Sequence, residues 1–91
     1  MVTTAFPRQG QGFRAEVRIG DNIDLVLMAT HTGVGPAAAI FDAQRKKWFP
    51  EREWAEDIDD AKQKAEALAR KYCKAVNPKE SFPPLRWTET G

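Results

Sequence analysis

Residues 57–74, DIDDAKQKAEALARKYCK, carry an apolar stripe at helical spacing, while the apolar runs before them alternate at the period of a strand. A short chain that changes from period two to period 3.6 once, and late, lays one helix on an antiparallel sheet. Ile58, Ala61, Ala65, Leu68 and Tyr72 make the stripe, and the small Ala61 and Ala65 let the helix lie close to the sheet. Lys62, Gln63, Glu66 and Arg70 make the solvated face, where Glu66 and Arg70 form an i,i+4 pair worth about 0.3 kcal/mol. Asp57 is the expected N-cap, with Asp60 three residues on in an aspartate variant of the capping box. Glu56, Asp57, Asp59 and Asp60 crowd the positive end of the helix dipole; Arg70, Lys71 and Lys74 crowd the negative end. Asn77-Pro78 stops the helix.

Ahead of the helix, FRAEVRI (13–19) alternates strictly. Phe13, Ala15, Val17 and Ile19 point one way, and Arg14, Glu16 and Arg18 the other. Gly20-Asp21-Asn22 is turn chemistry, and IDLVLMAT (23–30) returns, with Ile23, Leu25, Leu27 and Ala29 continuing the apolar face. HTGVGP (31–36) reads as a loop, AAAIFDA (37–43) as a third strand anchored by Ile40 or Phe41, and QRKK (44–47) as a polar turn. Lys47-Trp48-Phe49 starts a fourth short strand, which Pro50 confines to an edge. The expected fold is α+β: an antiparallel sheet of three to four strands with one long C-terminal amphipathic helix on one face. Residues 1–12 read as a flexible N-terminal arm, 13–76 as a β-β-β-α domain, and 77–91 as an extended tail bearing Phe82, Leu85 and Trp87.

Composition narrows the function classes. A chain of 91 residues with 42% hydrophobic and 30% charged residues is a small globular domain with little room for a large cofactor, and none is expected. The net charge of +1 gives no general drive toward nucleic acid or acidic membrane. Residues 1–44 hold three Lys/Arg and four Asp/Glu, whereas 45–74 hold nine and seven, a dense but balanced surface. One cysteine excludes an intramolecular disulfide, no run is long enough to span a membrane, and the N-terminus lacks the pattern of a secretion signal, so the expected location is cytoplasmic.

No catalytic constellation stands out, and a non-enzyme is expected. His31 has no partner at catalytic spacing, and one His with one distant Cys makes no metal site. Cys73, near the negative end of the helix dipole, reads as a small residue beside the core. Gly33-Val34-Gly35 lacks both the third glycine and the following helix of a phosphate loop. Asp57, Asp59 and Asp60 are explained by capping rather than by ion binding.

Two surface features carry more. Three tryptophans, Trp48, Trp54 and Trp87, are many for so small a core, and exposed Trp is enriched at interface hot spots. At least one of Trp48 and Trp54 is expected to pack beneath the helix. Contact with an unknown protein partner would then use Trp48, the second sheet face with Val26 and Met28, or Phe82 and Trp87 of the tail. The other feature is basic: Arg45, Lys46 and Lys47 beside Trp48, with Arg14 and Arg18 on the polar sheet face, suit phosphate contacts.

FRAEVRI, the KWFP stretch and the acid-capped helix, spanning 13–74, resemble the small β-β-β-α domains common among uncharacterised bacterial proteins. That layout is similar to the three-stranded DNA-binding domains of plant ethylene-response factors and phage integrase arms. The resemblance implies the α+β fold and, as the alternative to a protein-interaction module, nucleic-acid binding through Arg14, Arg18, Arg45, Lys46 and Lys47.

Overall fold

The computed structural model describes residues 12–90. The expected arm therefore lies outside the described residues except for Gly12, which opens the first strand. β1 (Gly12–Ile19), β2 (Ile23–Thr32) and β3 (Gly35–Asp42) form an antiparallel meander. Its register pairs Ala15 with Leu27, Val17 with Leu25 and Leu27 with Ile40, so the alternation of each strand sums to one apolar face. Gly20 turns β1 into β2 at φ +58, a left-handed conformation that a residue without Cβ adopts at no steric cost.

The second hairpin is tighter than its composition implies. His31, Thr32, Gly35 and Pro36, expected in a loop, are strand residues paired His31–Pro36 and Thr32–Gly35. Only Gly33 and Val34 remain at the tip, where Thr32 Oγ1 accepts from Val34 N at 3.2 Å and donates to Gly35 O at 2.6 Å. That local bonding lets the ladder run to the end despite two glycines and a proline.

Two short strands, β4 (Lys47–Trp48) and β5 (Glu53–Trp54), both pair with β3. They act as one edge strand interrupted at 49–52, and Pro50, which has no N–H to give a ladder, sits in the interruption. At the other edge β6 (Thr88–Glu89) pairs with β1, so the sheet has six strands where three to four were expected. The extra strands are two residues each, too short to show a period.

Helix α1 (Ile58–Val76) crosses β2 and β3 on one face. Asp57 caps it, accepting from Asp60 N at 2.7 Å, and the Asp60 carboxylate accepts from Glu56 N at 3.0 Å. The return bond of the box thus falls one residue earlier than the standard pattern. The buried line is Ala61, Ala65, Ala69 and Cys73, while Ile58, Leu68 and Tyr72, expected in the core, are half-buried on its flanks. Steps of four put the smallest side chains nearest the sheet and turn Leu68 and Tyr72 aside to meet Phe49, whose ring lies 5.0 Å from that of Tyr72. Beneath the helix, Val17, Ile23, Leu25, Leu27 and Ile40 are fully buried; Phe41 faces away, and Phe13 is half-buried under the Lys62 ammonium, 4.0 Å from its ring.

Candidate functional site: the open sheet face

Register decides what the face opposite α1 displays. Side chains paired across strands share a face, so Glu16, Val26, Phe41 and Trp48 form one row across four strands. Thr30, Ala37 and Trp54 form another, with Met28 and Ala39 between them. Trp48 and Trp54 are 54% and 55% exposed, and neither lies beneath the helix. The expectation that one of them packs there fails because each pairs with a β3 residue of the outer face. Trp48 instead packs edge-to-face on Phe41, with ring centroids 5.1 Å apart. The small Ala37 and Ala39 leave a trough of about 210 Å³ beside Trp48, lined also by Met28, Thr30, Thr32 and Arg52.

The charges of this face lie mostly on the β1 side, and they pair with one another. Arg14 bonds Glu16 at 3.1 Å, and Arg18 meets Asp24 across the strands at 3.5 Å. Arg45, the third candidate phosphate-binding arginine, is on the helix side. There Asp42, 5% exposed, accepts from the backbone N–H groups of Gln44 and Arg45 through Oδ1 and from the Arg45 guanidinium (3.1 Å) and the Tyr72 hydroxyl (3.4 Å) through Oδ2. Arg45 also donates to the Tyr72 oxygen at 2.7 Å, and the bond to Asp42 raises the guanidinium pKa above its ordinary value. This cluster locks the turn that holds Lys46 and leads into Lys47 of β4. The five candidate basic residues therefore do not converge: Arg14 and Arg18 belong to the open face, and Arg45 to the helix side.

Phe82 and Trp87 belong to the helix side as well. Arg70 lies 4.6 Å from the Phe82 ring, and Lys62 sits between Phe13 and Trp87, 5.9 Å from the latter. With Leu85, both aromatics pack half-buried against the core, and the tail ends as β6 at the β1 edge without crossing the open face. Of the candidate partner residues, Trp48, Val26 and Met28 are brought together and Phe82 and Trp87 are set apart. Trp54 and Arg52 complete the first group. Trp54 was legible only as one of three tryptophans in a small domain, and nothing in the sequence marked Arg52.

A groove of about 350 Å³ on the helix side is lined by Phe49, Pro50, Leu68, Lys71 and Tyr72. His31 is half-buried at the end of β2 rather than in an exposed loop, and its Nδ1 has no hydrogen-bond partner among the described residues. Burial pushes the Cys73 thiol pKa up, away from the reactive thiolate. Among the described residues, no helix is long and apolar enough to cross a membrane. No protein-family model, curated protein or solved structure matches the chain.

Proposed function

We propose that this protein is a small non-enzymatic interaction module whose open sheet face, centred on Trp48 and Trp54, docks a protein partner. One observation carries the reading: two tryptophans more than half exposed stand on one face with Val26, Met28 and Phe41, and no described segment covers them. An aromatic side chain buries about 150–250 Å² when covered, so this pair alone leaves roughly 200 Å² of surface to gain on contact. Trp is also the residue type that most often dominates binding energy. His31, with no partner at Nδ1 among the described residues, and the buried Cys73 are poorly set up as base and nucleophile, which favours binding over catalysis.

Nucleic-acid binding ranks second, because Arg14, Arg18 and Arg45 are each held by a carboxylate that a phosphate would have to displace. The test is affinity capture from source-cell extract with the wild-type chain and with a Trp48→Ala/Trp54→Ala variant. The variant is expected to keep its circular dichroism and lose the partner. A partner retained equally by both baits would overturn the reading.

A further inference from the structure

The open face pairs off its own carboxylates. Both of its carboxylates, Glu16 and Asp24, bond to Arg14 and Arg18. Arg52, at the wall of the Trp48 trough, has no carboxylate within ion-pair distance among the described residues, and no acidic side chain lines that trough. A planar guanidinium beside an apolar hollow is complementary to an apolar group with a carboxylate next to it.

We propose that the trough seats one apolar side chain of a short acidic segment of a partner protein, while a neighbouring Asp or Glu of that segment pairs with Arg52. The inference rests on the open face being the docking surface and adds the chemistry of what docks. The trough's 210 Å³ is below the roughly 300–1,000 Å³ of small-molecule sites, and it suits one anchoring side chain. Strand addition at β4, β5 or β6 would find only two ladder residues on each, and none of those additions would use the trough. A second copy of this chain fits less well. A stable dimer takes about 800 Å² per partner, several times the exposed area of the two tryptophans. The polar β1 side, already paired internally, adds little apolar area to it.

The experiment is selection of random peptides displayed on phage against the immobilised full chain. Selected peptides are then labelled and titrated by fluorescence anisotropy against wild type, Trp48→Ala, Trp54→Ala, Arg52→Ala and Arg52→Glu. Arg52 is exposed in the interruption of the edge strand, so these changes leave the fold intact. The expected peptides place Asp or Glu beside Leu, Ile, Phe or Trp. Their affinity falls about tenfold or more with Arg52→Ala and with Trp48→Ala, the scale of a hot-spot loss. Arg52→Glu reverses the preference toward Lys-bearing peptides. Peptides that need the tryptophans but tolerate Arg52→Glu would overturn the carboxylate assignment and leave the docking face standing. Peptides indifferent to all four variants would overturn both readings. No enrichment over a blank surface rejects a linear acidic segment as the occupant, with the capture experiment deciding the face independently. Sedimentation showing a dimer that Trp48→Ala dissociates would make a second copy the occupant and also reject the proposal.

Discussion

The two faces of the sheet are made by alternate residues of the same three strands, yet one is sealed and the other is open. Leu27 is 0% exposed under α1, while Met28, the next residue, lines the trough on the far side. The sealed face is closed from above by small groups, Ala61, Ala65, Ala69 and Cys73, so strand aliphatics supply most of its bulk. The open face carries the larger side chains, Phe41, Trp48 and Trp54, with no second layer over them among the described residues. The two faces are thus divided by task. The close-packed centre of the helix–sheet interface has no room for large rings, so Phe49, Tyr72, Phe82 and Trp87 pack at its margin, while Phe41, Trp48 and Trp54 stand on the face a partner can reach.

Adjacent residues test this division most sharply. Leu27→Ala is expected to cost about 3 kcal/mol, because it removes a fully buried side chain and leaves a cavity that packed neighbours cannot fill. Met28→Ala should cost under about 1 kcal/mol, since its surroundings are already half in water. Urea denaturation of both variants measures the two values, and equal losses would mean that the open face is covered in solution.

The carboxylates give the next comparison. Asp42 on the sealed side is buried and holds two backbone N–H groups, Arg45 and Tyr72. Asp42→Ala leaves those donors without their acceptor and should cost about 2 kcal/mol. Asp24→Ala on the open side breaks only the 3.5 Å pair with the largely exposed Arg18 and should cost under about 0.5 kcal/mol. Comparable melting of the two variants would remove the claim that Asp42 organises its turn.

The smallest effect belongs to neither face. The Glu56 N–H bonded to Asp60, aided by Lys64, holds the Asp60 carboxyl pKa below its ordinary 3.8 against a weaker effect of burial. A native pKa below the unfolded one means that this carboxylate stabilises the fold above the ordinary value. The contribution is lost as pH falls through 3.8 toward the lower native value. Thermal melts from neutral pH down to acid should show a slightly smaller acid loss for Asp60→Asn than for wild type. Identical pH profiles would mean that the bond from Glu56 N to the Asp60 carboxylate is not formed in solution.

Much of the sealed face was legible. Strict alternation in 13–19 and 23–30 set which residues face the core, and the acidic start and basic end marked the helix, because these patterns are read between residues close in the chain. The same local reading misplaced Leu68 and Tyr72. Both lie on the apolar stripe, but the side of the stripe that touches the sheet was chosen by how near Ala69 and Cys73 let the helix come. It also put at least one of Trp48 and Trp54 beneath the helix, because their strands are two residues long and carry no period of their own.

The sequence by itself determined the meander, the helix, its caps and the residues available for the core, since each follows from spacing along one segment. Only the tertiary structure decided that the tail adds a strand at β1, that both edge tryptophans face away from the helix, and that Arg52 stands beside a trough with no carboxylate partner among the described residues. Each of these depends on a ladder partner far along the chain. Backbone hydrogen bonds to β3 and β1, which no local pattern encodes, fix which face a short strand presents.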